Sequence, residues 1–108
     1  MKDVLKDLYS ESGQEKIGFI VDSCIIEVKN IASDPFNNYM MSTQDIIYYT
    51  PIATALWHTH PNEKSNLSDE DYVTIKNWPN LKHYIIGSDG VRCYKWDKEI
   101  KAVIEIDG

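Results

Sequence analysis

Long apolar runs are missing from this sequence. No stretch approaches the ~18 consecutive apolar residues of a membrane-spanning helix, and Met1 to Asp7 is broken by charge where a signal peptide would be apolar. We therefore expect no membrane partner and a cytoplasmic location. Cysteine is scarce as well: Cys24 and Cys93 stand alone, without the CxxC spacing of a zinc or redox site. Both read as buried free thiols, although a disulfide between them stays open. Positive charge is in short supply, with 11 Lys and Arg against 17 Asp and Glu, a net charge of -6 and a pI near 4.9. The basic residues are scattered along the chain, which speaks against a nucleic-acid partner because phosphate backbones call for a basic stripe.

What is present is ordinary for a globular domain. Hydrophobic residues make up 43% and charged residues 26%, and three tryptophans with seven tyrosines supply bulky packing. At 108 residues the chain is read as one domain, 1–108, with enough surface to bury a single core. No internal repeat, low-complexity tract or linker interrupts it.

The chemistry concentrates in His58-Thr59-His60-Pro61 and in Ser68-Asp69-Glu70-Asp71. Ile52 to Trp57 is short, apolar and β-prone, and Pro61 would break a strand ladder, so the two histidines are expected to close a strand. Alternation of side chains then puts His58 and His60 on one face, where each can offer a ring nitrogen to a divalent ion at about 2.0–2.1 Å. Ser68 reads as the N-cap of a helix running to about Trp78, with Asp71 at its third position. A loop from Pro61 to Leu67 can fold Asp71 back towards the imidazoles. Two histidines and one aspartate leave a fourth tetrahedral position for water, the composition of a catalytic zinc site. Taken alone, Ser68 and Asp71 are equally a capping box with no chemistry beyond ending a helix.

The whole string HTHP-x6-S-x-x-D resembles the signature of the JAMM (MPN-domain) metallopeptidases. That family adds an upstream glutamate in a pattern like E-x-x-G followed by apolar residues, and Glu15-Lys16-Ile17-Gly18-Phe19-Ile20-Val21 fits it. By itself Glu15 would read as a solvated carboxylate at the start of a strand. The resemblance implies one Zn²⁺ per chain held by His58, His60 and Asp71, Glu15 as the proton-transferring base, and Ser68 as an oxyanion stabiliser. It also implies a mixed sheet flanked by helices, an α/β sandwich of cytidine-deaminase-like architecture, and hydrolysis of amide or isopeptide bonds in a protein or peptide. Such a zinc ion lowers the pKa of a bound water towards roughly 7. The zinc-deaminase H-x-E with P-C-x-x-C and the H-E-x-x-H helix are both absent. The loops are short, which disfavours ubiquitin-chain specificity.

Asn30 to Tyr39 is also similar to the corresponding stretch in the JAMM domains of tailed-phage tail assembly proteins, the lambda K-like group. This makes phage tail proteins candidate partners. The NlpC-type cysteine peptidase domain that commonly follows in that group is not among these residues. A second reading therefore keeps the fold for a non-catalytic assembly module that binds a protein partner. A third treats the string as coincidence in a plain globular domain.

The remaining elements follow from periodicity. Lys2 to Tyr9 reads as a short amphipathic helix ended by Ser10 to Gly13, and Ile17 to Val21 with Cys24 to Val28 as a hairpin about Asp22-Ser23. Gly18 marks close packing. Asn30 to Asn38 is a loop, Tyr39 to Met41 a short edge strand, and Thr43 to about Tyr49 a helix capped by Ser42. Lys82 to Ile86, Val91 to Trp96 and Ile100 to Ile106 complete the strands. His83, with no partner at ligand spacing, is read as a surface or partly packed histidine outside the site.

Overall fold

The computed structural model describes residues 1–11 and 13–108. Of the expected helix end at Ser10 to Gly13, Ser12 thus lies outside the described residues. Among the described residues the elements run α1 (Lys2–Leu5), a 3-10 turn (Lys6–Leu8), β1 (Ile17–Val21), β2 (Cys24–Val28), α2 (Thr43–Tyr49), β3 (Ala55–Thr59), α3 (Asp69–Asn77), β4 (Lys82–Gly87), β5 (Gly90–Asp97) and β6 (Ala102–Ile106). They form a single α/β domain around one six-stranded mixed sheet, in the order β2-β1-β3-β4-β5-β6. Only β3 and β4 are parallel, and α3 is the crossover between them. No helix among the described residues is long and apolar enough to cross a membrane.

Strand alternation divides the core between the two faces of the sheet. On one side Leu5 packs with Ile20, Ala55, Trp57, Tyr84, Ile86 and Cys93. On the other, Phe19 and Leu56 lie under the α2 side, where Phe19 stacks on Tyr49 at 5.1 Å, while Ile75 of α3 covers Ile85. The hairpin β1–β2 turns through Asp22 and Ser23, both in the left-handed region at φ 50° and 65°. Two such residues are what a two-residue turn between right-twisted strands demands. The expected close packing at Gly18 holds, since a Cβ there would strike the Ile26 carbonyl and stand 2.8 Å from the Trp57 ring.

Several expectations are corrected. The N-terminal helix is a single α turn followed by a 3-10 turn ending at Leu8, as its few apolar residues cannot anchor more. Tyr39 to Met41 is not a strand: Met40 gives its carbonyl to the Ile31 N–H, but its own N–H goes to the Asn30 side chain, so no ladder continues. Cys24 is exposed on the edge strand, and both cysteines are free. His83 is buried at 3% exposure, because it sits in the central strand β4 between Leu56 of β3 and Tyr94 of β5.

Candidate metal centre

His58 lies in β3, and its side chain points to the α3 face, as does that of Leu56, while Trp57 faces the other way. His60 falls just beyond the strand's end, correcting the expectation that both histidines belong to it. Its N–H still donates to the Ile86 carbonyl at 2.8 Å, which keeps the extended course and the shared face. Pro61 then releases the chain into the loop that reaches Ser68 and α3.

The capping box at the start of α3 is present on both arms. Asp71 N–H donates to Ser68 Oγ and Ser68 N–H donates to Asp71 Oδ2, each at 3.1 Å. The cap fixes the Asp71 carboxylate against the imidazoles, with Oδ1 at 2.8 Å from His58 Nε2 and Oδ2 at 3.1 Å from His60 Nε2. The two Nε2 atoms are 3.1 Å apart. The helix cap and the cluster of three donor groups are thus one arrangement rather than alternatives.

These distances fit a metal. Three donors on one face of a tetrahedron with bonds of 2.0–2.1 Å stand roughly 3.3 Å apart. His58, His60 and Asp71 are all buried, and two imidazoles with a carboxylate are a donor set for a divalent transition metal. His60 Nδ1 lies 3.0 Å from the Lys64 carbonyl oxygen. A carbonyl only accepts, so Nδ1 carries a proton, and Nε2, which faces Asp71, becomes a metal donor once its own proton is lost.

Charge and burial compete at each group. Burial pushes Asp71 up, but hydrogen bonds from His58 and His60 and from the Ser68 N–H overcome it and hold the carboxyl well below the usual range. At His60 burial favours the neutral ring, yet the Asp71 carboxylate and the Lys64 carbonyl leave it raised. Glu15 is raised to about 7, chiefly by burial; His60 pulls it down, while the Asp71, Glu70 and Glu63 charges push it up.

Glu15 reaches the site because β1 runs antiparallel to β3, with Ile17 opposite His58. It is buried at 8% exposure and shares a pocket of about 230 Å³ with His60, Ser68 and Asp71. Its Oε2 is the one buried side-chain oxygen or nitrogen among the described residues with no hydrogen-bond partner. A carboxylate buried unpaired is costly, so this orphan points to a ligand-facing role. The solvated carboxylate considered from sequence does not match that burial.

Three further residues, Thr59 within the string and Asn30 and Tyr39 outside it, hold the site together. Thr59 exchanges hydrogen bonds with Lys16: Lys16 N–H donates to Thr59 Oγ1 and Thr59 N–H to the Lys16 carbonyl, both at 2.9 Å. This clamps the residue after Glu15 to the residue after His58. Asn30 donates to the carbonyls of Glu15 and Asn38 at 2.9 Å and accepts from the Ala32 and Met40 N–H groups at 3.1 Å. Tyr39 lays its ring 4.6 Å from that of His58 and donates to Thr74 Oγ1 at 3.0 Å. No local pattern marks these contacts, which span up to 43 residues; only the Asn-rich turn chemistry of 30–38 hinted that the loop was structured.

The fold and the site together define a small α/β domain with a buried two-histidine, one-aspartate cluster and a neighbouring orphan carboxylate. No family model and no curated protein matches the chain. Among solved structures it is similar to the solution structure of protein DSY2949 from Desulfitobacterium hafniense, at 16% identity and a TM-score of 0.66, over 98% of this chain and 87% of that one. At that identity the likeness concerns the fold alone.

Proposed function

We propose that this protein is a JAMM-type zinc peptidase, hydrolysing an amide or isopeptide bond in a protein or peptide substrate. The observation that carries the reading is the convergence of His58, His60 and Asp71 beside the unpaired, buried Glu15 carboxylate. Phage tail proteins, the partners implied by the Asn30–Tyr39 resemblance, are the substrates to try first.

His58, His60 and Asp71 would hold a zinc ion, which would supply Lewis-acid polarisation and a water acidic near neutral pH. Glu15, buried in the same pocket as His60, Ser68 and Asp71, is placed to accept a proton from water and return it to the leaving amine. Ser68 uses its oxygen lone pair for the Asp71 N–H and keeps its own O–H free to donate to a carbonyl oxygen as charge develops there. Tyr39, Asn30 and Thr59 hold these groups in place and do no chemistry.

The test has two stages. Purified without chelator and supplied with zinc, the wild type should hold about one zinc per chain and His58→Ala little. Glu15→Gln should keep the zinc and lose cleavage by the ~10²–10⁴-fold typical of a general base. Equal cleavage by wild type and Glu15→Gln would end the peptidase reading. Zinc retained with no turnover, together with stable capture of an uncut tail protein, would favour the assembly module instead.

A further inference from the structure

Next to the metal pocket a second, open groove of about 540 Å³ runs between the loop 32–40 and α3. Asn38, Tyr39 and Glu70 line both, so the two adjoin. The groove has an apolar wall, formed by Met40 at 57% exposure and Val73 at 55%. Its floor is Tyr39 and Thr74, joined by their hydrogen bond.

Its charge is of one sign. Asp34 and Glu70 line the groove, and Glu63 and Asp69 join Glu70 at the metal pocket, while no lysine or arginine lines either cavity. None of these four carboxylates is ion-paired among the described residues, whose salt bridges are confined to Asp71 with the histidines and Arg92 with Asp89 and Glu105. Asp34 accepts from the Asn37 amide, and Glu70 accepts from Asn38 when that amide is turned to satisfy its neighbours. Neither bond cancels the charge. The second observation is Glu15, nine-tenths buried with its Oε2 unpaired, which lines the adjoining metal pocket.

We propose that this groove is the substrate track, and that it takes an extended cationic peptide. Lysine or arginine side chains pair with Asp34 and Glu70, and an apolar side chain lies on Met40 and Val73. The segment leads the bond to be cut towards Glu15 and the histidines. An acidic peptide is repelled along the whole path, since unpaired like charges across an interface oppose binding. The proposal rests on the peptidase reading for the direction of the track, but its charge and shape stand apart from that reading.

The experiment measures binding of two fluorescein-labelled peptides of about eight residues, enough to span roughly 26 Å when extended. One alternates lysine with leucine, the other glutamate with leucine. Fluorescence anisotropy is read on zinc-loaded wild type, on D34N/E70Q, on Val73→Arg, and on D3N/D7N, whose equal charge change sits at the α1 end of the chain, on the other face of the sheet. The cationic peptide should bind and the anionic one should not. D34N/E70Q should weaken binding about fivefold or more, the scale of two partly exposed ion pairs, and Val73→Arg should weaken it as well. D3N/D7N should not.

No binding of the cationic peptide, or equal weakening by both double variants, would overturn the groove. Loss in D34N/E70Q through misfolding would show as a lowered melting temperature, and an unchanged affinity in a folded Val73→Arg would then overturn the proposal by itself. If the wild type binds the cationic peptide through Asp34 and Glu70 but never cuts any peptide, the groove stands and the peptidase reading falls. Cutting of the anionic peptide as fast as the cationic one would do the reverse.

Discussion

Asp71 performs two tasks with one carboxylate: Oδ2 completes the helix cap with the Ser68 N–H, and both oxygens face imidazole nitrogens. Asp71→Asn keeps the shape and removes the charge, so zinc affinity should fall by more than the ~10–100-fold seen for outer-shell changes, as competition with a chromophoric chelator will measure. Proton competition sets the pH dependence of that affinity. His60 is raised above the usual histidine value, so its ring stays protonated to higher pH and blocks the metal; Asp71 is lowered and offers no competition. Zinc affinity should therefore rise with pH through the region above 6.5, the ordinary value of His60, and the rise should be shallower in His60→Asp.

At the scale of the element, α2 and α3 provide a matched pair of caps. Ser42 Oγ accepts from Asp45 N–H and Ser68 Oγ from Asp71 N–H, both at 3.1 Å. Replacing either serine by alanine should cost about 1 kcal/mol in chemical denaturation. Only Ser68→Ala should also slow cleavage, because only its hydroxyl faces the metal pocket. The loop between β3 and α3 is held from beneath by the β4–β5 turn. Asp89 accepts from Ser65 N–H at 2.7 Å and from its hydroxyl at 2.8 Å, and Ser88 N–H donates to the Glu63 carbonyl at 2.7 Å. Gly87 lies under the loop, where a Cβ would come 2.5 Å from the Lys64 carbonyl carbon. Gly87→Ala must push the loop away and with it the carbonyl that orients His60. We expect weakened zinc binding together with lost stability of about 1–3 kcal/mol, the range for overpacking.

Across the whole molecule, the sheet buries a histidine that has no place in the metal site. His83 is lowered to about 4, mainly by burial, with the Trp78 carbonyl opposing and His58 assisting. The unfolded chain binds a proton near 6.5 that the folded chain refuses, so stability rises with pH between about 4 and 6.5 and is lost on acidification through that window. The contribution is on the order of 3 kcal/mol. Urea titrations from pH 7 to 4 should show His83→Gln losing less stability over the window than wild type; an identical slope would refute it. Asp71 adds acid sensitivity at lower pH, since its carboxyl is held ionised to well below the usual range.

Much of this architecture was legible from local pattern, because alternation and turn chemistry act within a few residues. Five of the six strands fall within two residues of their expected limits, the β1–β2 hairpin lies where Asp22-Ser23 placed it, and both serine caps are present. The chain order also announced the cluster of His58, His60 and Asp71, since the histidines share a face by strand alternation and Asp71 follows its cap by three residues. The sequence by itself could not say that Glu15 would be buried, unpaired and beside them, because that follows from antiparallel pairing of β1 with β3 and from the Thr59–Lys16 and Asn30–Glu15 bonds. Nor could it show that Tyr39, expected in an edge strand, instead braces His58, or that His83 is sealed inside the sheet. Those facts depend on which strands lie side by side. Strand order is decided by the collective burial of two faces, and no single stretch of residues encodes it.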